Sequence, residues 1–234
     1  MTCRDREYIV TPTAPSCLAV HGSKALFPVH RVYCVAKNYA DHVREMGGLP
    51  ERDPPCFFTK PADAVVSGPV VPFPGKTIDL HHEVELVVAL GSGGSDVSPA
   101  DALALVFGYA VGVDLTRRDL QAEAKQLRRP WDVAKGFDRS APVSAVRPLS
   151  LCGHLQSGSI TLSVNGEERQ KGDLSQMIWG VAEVLSHLSA YYELAAGDLV
   201  FTGTPAGVGK LKPGDRVDCS IEAVGQLAFT MGPA

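Results

Sequence analysis

One segment, residues 83–90 with the sequence EVELVVAL, constrains the fold of this chain more than any other. Its first half alternates acidic and apolar residues, and its second half is continuously apolar, which predicts a strand that becomes covered on both faces. A second apolar run, GYAVGVDL at residues 108–115, predicts another buried strand. The 23 glycines and 17 prolines favour many turns. These features predict a strand-rich fold rather than a helical bundle.

Further elements follow from capping and turn signals. Ser98, followed by proline, predicts the N-terminus of a helix that runs to about residue 107. Thr116 is the predicted N-cap of a second helix, TRRDLQAEAKQL, and Asp173 is the predicted start of an amphipathic third helix. The dipeptide Asn165–Gly166 after a strand at 159–164 predicts a tight hairpin. Two more strands are predicted at 31–36 and 198–201.

The chain shows no linker that would divide it. Residues 1–30 lack periodicity and are predicted to form an N-terminal arm, or a short strand pair, packed on the main body. Residues 31–234 are continuous in pattern, without a Ser/Gly-rich or low-complexity tract, and are predicted to form one domain.

Composition limits the partners and the compartment. The formal net charge of −4 gives no reason to expect nucleic acid or an anionic membrane as partner. No apolar run approaches the roughly 20 residues that span a bilayer, and the first ten residues carry charges where a secretory leader is apolar. The six cysteines form no CxxC pair, so reduced thiols in a cytoplasmic protein are expected.

Acidic side chains at two strand ends suggest a metal site. Glu83 and Glu85 project from the same face of a strand, because the side-chain period is two, and a cation between them would offset their repulsion. Asp114 ends an otherwise apolar strand, where a charge is costly unless it is paired or coordinated. Three carboxylates favour Mg²⁺, with Mn²⁺ or Ca²⁺ as alternatives. Taken singly, the residues also fit a half-exposed strand and a helix cap.

Three other groups are candidates for acid–base or electrostatic roles. His42 and Glu45 stand three residues apart in ADHVRE, so a helical turn would bring imidazole and carboxylate into contact, although a solvated surface turn fits equally well. Lys135 lies between apolar residues and is either a desolvated cation or a lysine that reaches solvent. The loop GTPAGVGK at 203–210 lacks the spacing of a phosphate loop, but its N–H groups could cradle a carboxylate.

Taken together and in this order, the segments of the chain resemble the fumarylacetoacetate hydrolase superfamily. The match covers roughly residues 25–230 and rests on these motifs: YCVAKNYADHVREMGG, PPCFFTKPADAVV, LHHEVELVVALG, FGYAVGVDLTRRDLQ, RPWDVAKGFDRSAPV, VNGEERQKGDLSQMIW and GDLVFTGTPAGVG. One departure is AKNY at 36–39, where many relatives have GRNY. Ala36 is expected to restrict the backbone beside the lid, and Lys37 lacks the planar fork of arginine.

The resemblance implies a fold and a set of roles. The fold is α+β and strand-rich, a mixed β-roll or β-sandwich core with peripheral helices, usually assembled as a homodimer. The metal ligands implied are Glu83, Glu85 and Asp114. The catalytic groups implied are His42 and Glu45, on a mobile lid, and Lys135. The substrate-binding groups implied are Arg118, Gln121, Thr204 and Lys60.

The resemblance also implies an activity on small keto acids. The stretch LTRRDLQAEAKQLRRPWDVAKGFD is most similar to members that hydrolyse the C–C bond of fumarylpyruvate, a 1,3-diketo acid of gentisate catabolism. Alternatives within the superfamily are a general acylpyruvate hydrolase, and a decarboxylase or isomerase acting on oxaloacetate or a hydroxy-heptenedioate-type diacid. The arginines Arg117, Arg118, Arg128 and Arg129 are expected to hold the distal carboxylate of fumarylpyruvate, although Arg128 and Arg129 fit equally well as solvated charges at a helix C-terminus.

Overall fold

The computed structural model describes residues 8–50 and 52–233. Strands dominate it, and in chain order they are β1 (Cys17–Leu18), β2 (Phe27–Pro28), β3 (Val32–Ala36), β4 (Cys56–Lys60), β5 (Val65–Val66), β6 (Val70–Val71), β7 (Leu80–His82), β8 (Val84–Leu90), β9 (Val106–Val113), β10 (Thr116–Arg117), β11 (Ala141–Pro142), β12 (Arg147–Pro148), β13 (Ser159–Val164), β14 (Glu167–Asp173), β15 (Leu199–Phe201), β16 (Gly209–Leu211), β17 (Arg216–Ile221) and β18 (Gly225–Met231).

The helices are short and lie between strands. The α-helices are α1 (Ala40–Glu45), α2 (Pro99–Ala102), α3 (Arg118–Gln126), α4 (Asp132–Lys135), α5 (Leu149–Cys152) and α6 (Val181–Ser189). Single 3-10 turns occupy Ala62–Ala64, Leu103–Leu105 and Leu174–Gln176. None of the helices within the described residues is both long and apolar enough to cross a lipid bilayer.

A six-stranded sheet forms the centre of the molecule, in the order β12-β9-β8-β15-β3-β4. Every residue of β8 is buried, as its continuous apolar sequence requires, because both faces of the sheet are covered. Strands β8 and β9 pair antiparallel, whereas β15 runs parallel to β3. The ends of β8 and β9 carry the predicted metal ligands, so this sheet positions the site.

A five-stranded sheet, in the order β14-β13-β17-β18-β6, covers one face of the central sheet. Its strands alternate buried and exposed residues, which is the pattern of a sheet with one solvated face. The shared core contains Leu86 and Val111 from the central sheet and Leu162 and Phe229 from the second sheet. This arrangement confirms the predicted α+β, strand-rich class with a sandwich-like core.

A second core covers the other face of the central sheet. It contains Val87 of β8 and Phe201 of β15, together with Leu18 and Phe27 from the N-terminal strand pair β1–β2. The predicted packing of a strand pair from the first 30 residues is therefore observed for β1 and β2, whereas residues 1–7 lie outside the described residues. The division into an arm (1–30) and a catalytic domain (31–234) stays a prediction.

Three sequence-predicted helices have bounds in the structure that differ from the prediction, one at its end and two at their starts. The helix at Ser98 is capped as predicted, but it gives way to a 3-10 turn and ends before β9 begins at Val106. Thr116 is not an N-cap, because it pairs with His81 in a strand and α3 begins two residues later. Asp173 caps a 3-10 turn instead of the amphipathic helix, which begins at Val181. The predicted hairpin at Asn165–Gly166 is confirmed.

Candidate metal centre and active site

The central antiparallel strand pair brings the three predicted metal ligands together. Glu83 precedes β8, Glu85 lies within it, and Asp114 follows β9, where its N–H donates to the Glu83 carbonyl at 2.8 Å. Gly112 is the partner of Glu85 in the ladder. A Cβ at Gly112 would lie 2.5 Å from the Val87 side chain, so only glycine permits this close packing beside the site.

The three carboxylates fit a divalent cation. One oxygen of each lies within 4.8 Å of the others, and all three residues are buried. Asp114 Oδ1 is buried without a well-directed hydrogen bond, although it lies 2.8 Å from Lys60 Nζ in an ion pair. Hard cations take oxygen ligands at about 2.0–2.6 Å, a reach that a cluster of this span allows. The burial of both glutamates excludes the half-exposed strand that the sequence left open.

Two buried lysines neutralise part of the acidic cluster. Lys135 Nζ donates to Glu83 Oε2 at 2.7 Å, to Asp114 Oδ2 at 2.6 Å and to Thr116 Oγ1 at 2.6 Å. Lys60 Nζ reaches Asp114 from β4 and also donates to the carbonyls of Lys135 and Leu115. Lys135 is only 3% exposed, so the alternative of a lysine that reaches solvent does not apply.

The acids of the cluster differ in the direction in which their surroundings shift the pKa. Burial by itself raises the pKa of Glu83, but the positive charges of Lys135 and Arg118 outweigh it and hold that pKa below its usual range. Burial and then the neighbouring Asp114 and Glu83 raise the pKa of Glu85 well above its usual value. Burial lowers the pKa of Lys135, but the two acids it contacts reverse this and raise it. The two acids therefore favour the protonated form of Lys135.

Helix α3 supplies two polar side chains from one turn. Arg118 Nη2 forms an ion pair with Glu83 Oε1, and its Nη1 donates to Gln121 Oε1 at 2.6 Å. Gln121 is buried, and both side chains line the cleft that holds the carboxylates. The guanidinium of Arg118 therefore contacts Glu83 and Gln121, which are themselves predicted site residues.

Helix α1 places an imidazole over the same cleft. His42 Nδ1 lies 3.1 Å from Glu45 Oε2, as the spacing of three residues predicted, and His42 is 8% exposed. The second oxygen of Glu45 accepts the N–H of Gly207 at 3.0 Å. Gly207 has φ +96°, and a Cβ there would meet the Arg169 carbonyl oxygen at 2.0 Å. The glycine loop thus anchors the predicted lid helix through Glu45.

The glycine-rich loop after β15 cradles carboxylates through its N–H groups, as the sequence suggested. The carboxylates are the protein's own, because Gly203 N donates to Glu85 Oε2 at 2.6 Å and Gly207 N donates to Glu45. Thr204 lines the cleft, but its hydroxyl donates to the Val84 carbonyl at 2.7 Å. Its predicted binding of a substrate carboxylate stays a prediction.

In the segment AKNY, the unusual backbone conformation lies at Lys37 and not at Ala36, where the restriction was expected. Ala36 does not adopt a positive φ, so it requires no glycine, whereas Lys37 has φ +59°. Asn38 follows and ties the base of the lid to the core. Its amide nitrogen donates to the carbonyls of Trp179 at 2.9 Å and Thr202 at 2.8 Å.

Sequence reasoning missed a buried polar network behind the site. Gln170 of β14 is fully buried, and its Oε1 lies 2.9 Å from His82 Nδ1 and accepts the Val84 N–H at 3.1 Å. Its Nε2 donates to Thr204 Oγ1 at 2.8 Å and to the Pro205 carbonyl at 2.8 Å. A lone glutamine in the segment EERQKGD carries no signal for this role, since its partners are distant in sequence.

Several basic residues lie away from the positions expected. Arg117 donates to the Val133 carbonyl and stacks on Phe137 at 4.3 Å, outside the cleft. Arg128, in a left-handed conformation after α3, and Arg129, in a neighbouring groove, also do not line it. Of the four arginines expected to hold a distal carboxylate, Arg118 alone reaches the cleft, so that expectation was wrong for the other three.

The cleft combines acid–base, cation-binding and electrostatic groups in one small space. Eight of the ten residues predicted for the site line it, Glu45 contacts His42 from outside, and Lys60 supports Asp114 from behind. The lining groups predicted from the sequence are His42, Glu83, Glu85, Asp114, Arg118, Gln121, Lys135 and Thr204. This set can bind a cation with an oxygen-rich ligand and present an imidazole to it.

Comparisons with known proteins agree with the fold. Fumarylpyruvate hydrolase from a Ralstonia species is 41% identical over 76% of this chain and 93% of its own length. An Escherichia coli oxaloacetate tautomerase is 39% identical over 84% and 90%. The crystal structure of fumarylpyruvate hydrolase from Pseudomonas aeruginosa, in complex with Mn²⁺ and pyruvate, has a TM-score of 0.95 at 49% identity and covers 97% of this chain and 100% of that one. The family described as "Fumarylacetoacetate (FAA) hydrolase C-terminal" matches residues 31–231, and this chain belongs to it.

Proposed function

We propose that this protein is a divalent-cation-dependent hydrolase that cleaves fumarylpyruvate into fumarate and pyruvate. The observation that carries the proposal is the imidazole of His42, oriented by Glu45, in the same cleft as the three clustered carboxylates. The similarity to the Ralstonia and Pseudomonas fumarylpyruvate hydrolases supports the choice of substrate.

Mg²⁺ is the proposed cation, held by Glu83, Glu85 and Asp114. Three carboxylates favour a hard ion, and the Mn²⁺ in the Pseudomonas relative is an ion of similar preference. When bound, the cation polarises the carboxylate and keto oxygens of a pyruvoyl group. Removal of the ion with EDTA is therefore expected to abolish turnover, and Mg²⁺ or Mn²⁺ is expected to restore it.

His42 is the proposed general base. Its Nδ1 is engaged by Glu45, which leaves Nε2 to take a proton from water. The water oxygen adds to the carbonyl carbon of the fumaryl group. The bond between that carbon and the methylene of the pyruvoyl part then breaks, its electron pair moves to the methylene carbon, and the proton returns to it. The products are fumarate, which contains the oxygen of the water, and pyruvate, whose methyl group has received the proton.

Cationic and amide groups of the cleft are the proposed electrostatic partners. Lys135, held protonated between Glu83 and Asp114, stabilises negative charge on the departing pyruvate. Gln121 and Arg118, paired on α3, are the proposed groups that stabilise the alkoxide formed when water adds. Thr204 and Lys60 complete the proposed substrate-binding set. Lys60 acts indirectly, through its ion pair with Asp114.

A direct assay tests the proposal. Purified protein with Mg²⁺ is incubated with fumarylpyruvate, and pyruvate and fumarate are quantified by chromatography. Equal amounts of the two products, lost with EDTA, are the expected result. Acetylpyruvate, which lacks the distal carboxylate, serves as the comparison substrate. Faster cleavage of acetylpyruvate would point to a general acylpyruvate hydrolase instead.

Oxaloacetate chemistry is the second candidate. The similarity to the Escherichia coli oxaloacetate tautomerase supports it, and the cation site with Lys135 would serve that chemistry without the His42–Glu45 pair. Decarboxylation or isomerisation of oxaloacetate, or of a hydroxy-heptenedioate-type diacid, needs enolate stabilisation but no attacking water. Comparison of oxaloacetate and fumarylpyruvate turnover by one preparation decides between them.

A homodimeric assembly and a cytoplasmic location are further proposals. Both come from the sequence and its resemblance to the family. Light scattering coupled to size-exclusion chromatography tests the first, with a mass twice that of the 24.9 kDa chain as the expected result. Fractionation of the producing cells tests the second.

A further inference from the structure

Two lysines line the cleft without a carboxylate partner. Lys37, next to the lid helix, and Lys125, on α3, both border the space that holds the acidic cluster. Within residues 8–50 and 52–233, neither forms an ion pair or a side-chain hydrogen bond with an acid. Lys125 Nζ lies 5.2 Å from the centroid of the Trp131 ring, which also lines the cleft. The other cations of the cleft, Arg118 and Lys135, are already paired with Glu83.

The local charge also favours an anionic ligand at these lysines. Burial, and then the positive charges of Arg118 and Lys37, lower the pKa of Lys125. Four cationic side chains and three carboxylates line the cleft, and a divalent cation would add two positive charges, which leaves a net charge of three. A ligand with one carboxylate would leave two of these charges, whereas a ligand with two carboxylates would leave one.

We propose that Lys37 and Lys125, which line the same cleft as the acidic cluster, form the receptor for the second carboxylate of a dicarboxylic substrate. The proposal rests on the proposed function for the position of the first carboxylate at the cation. The two lysines thus take the role that the sequence suggested for Arg117, Arg128 and Arg129, which do not line the cleft. Lys37 and Lys125 are both exposed to solvent, so a carboxylate can reach them, and the face of the Trp131 ring lies beside the Lys125 ammonium.

Binding to two matched ligands tests the receptor independently of turnover. The probes are 2-oxoheptanedioate, which has the chain length of fumarylpyruvate and a carboxylate at each end, and 2-oxoheptanoate, which ends in a methyl group. Each is titrated by calorimetry into the Mg²⁺-loaded protein. The variants are Lys37→Met and Lys125→Met, which keep side-chain length, and the double variant.

A matched control is available in Lys76→Met. Lys76 is exposed and has φ +63°, close to the φ +59° of Lys37, but it does not line the cleft. The control therefore reports the effect of removing a lysine from a left-handed backbone position and from the total charge of the protein.

The expected result is selective. Each cleft variant binds the dicarboxylate about tenfold more weakly, the usual scale of a hydrogen bond to a charged group, and binds 2-oxoheptanoate unchanged. Wild-type affinity for the dicarboxylate also falls as ionic strength rises, since the contact is electrostatic. Equal losses for both ligands, or no loss for either, would overturn the receptor, as would an equal effect of Lys76→Met.

Kinetics on the same proteins separates this inference from the proposed function. If wild-type protein binds the dicarboxylate selectively but does not cleave fumarylpyruvate, the receptor stands and the hydrolase proposal fails. If it cleaves fumarylpyruvate while the lysine variants keep the full preference for the dicarboxylate, the hydrolase proposal stands and the receptor fails.

Discussion

The carboxylate of Asp114 contacts two buried lysines and is also a proposed ligand of the cation. Lys135 lies 2.6 Å from one oxygen and Lys60 lies 2.8 Å from the other. Glu85, by contrast, accepts a hydrogen bond from the N–H of Gly203, and within residues 8–50 and 52–233 it has no lysine at hydrogen-bond distance. Removal of one acid or the other is therefore expected to have different effects on folding, although both remove a proposed ligand.

The first prediction separates these effects. Asp114→Asn is expected to lower the free energy of unfolding by about 3 kcal/mol or more, because it leaves two buried lysines without their shared partner. Glu85→Gln keeps an acceptor for Gly203 and removes a buried charge, so the cation-free protein is expected to unfold at the same or a higher temperature. Both variants are expected to lose most Mg²⁺ affinity in calorimetric titration. Unchanged Mg²⁺ affinity in both would contradict the metal site.

The second prediction concerns His42. His42→Ala is expected to lower fumarylpyruvate hydrolysis by about 10² or more, the usual contribution of a general base. Oxaloacetate decarboxylation needs no such base and is expected to fall much less. Steady-state kinetics on both substrates measures the ratio. Equal losses would indicate that the imidazole shapes the lid rather than activating water.

At the scale of elements, the hairpin of β13 and β14 supports the site from behind. Gln170 joins β14 to the residue before Glu83, to the start of β8 and to the loop that carries Thr204. The second sheet is thus linked to the metal ligands by hydrogen bonds as well as by apolar packing. The sequence gives no sign of this link, because the residues it joins are 34 to 88 positions apart.

The third prediction tests this link. Gln170→Leu removes the buried hydrogen bonds of this side chain to His82, to the Val84 N–H, to Thr204 and to the Pro205 carbonyl, which is expected to lower the free energy of unfolding by about 2 kcal/mol or more. Mg²⁺ affinity is expected to fall as well, since β8 loses a constraint beside Glu83. Gln226→Leu, the same change at an exposed position of β18, is the control and is expected to be nearly neutral. Equal melting temperatures for the two variants would refute the support role.

At the scale of the whole molecule, the sequence pattern correctly predicted the contacts between residues that are close together in the chain. The shared face of Glu83 and Glu85 follows from strand period, and the contact of His42 with Glu45 follows from one helical turn. Thr116 fits the sequence pattern of a helix cap, but pairing with His81 keeps it in a strand and Lys135 uses its hydroxyl. Tertiary contacts decided that position, and no single-residue pattern encodes them.

The positions of basic residues were the least predictable feature. Lysine and arginine side chains are long, so neighbours in sequence such as Arg117 and Arg118 turn to different surfaces, one to Phe137 and one to Glu83. Lys60, buried under Asp114, was assigned to the site through family resemblance and not through its own surroundings in the sequence.

The last prediction follows from the buried tyrosines of the sandwich core. Tyr33 of β3 and Tyr109 of β9 both belong to the large core cluster. Burial raises the pKa of Tyr33 to about 12 and that of Tyr109 to about 12, and burial also raises the pKa of Tyr39. A tyrosine in an unfolded chain titrates near about 10. These phenols therefore hold their protons in the folded protein at pH values where the unfolded chain has released them.

The sign of the effect follows from linkage. Because the folded pKa is raised, the stabilisation is fully present below about pH 10 and is lost as the pH rises towards about 12. Denaturant midpoints are expected to fall across this window, and phenolate absorbance of the native protein is expected to rise later than that of the denatured chain. Tyr109→Phe is expected to reduce the late part of the native titration. A native protein in which all six tyrosines ionise together near pH 10 would contradict the burial of these phenols in the core.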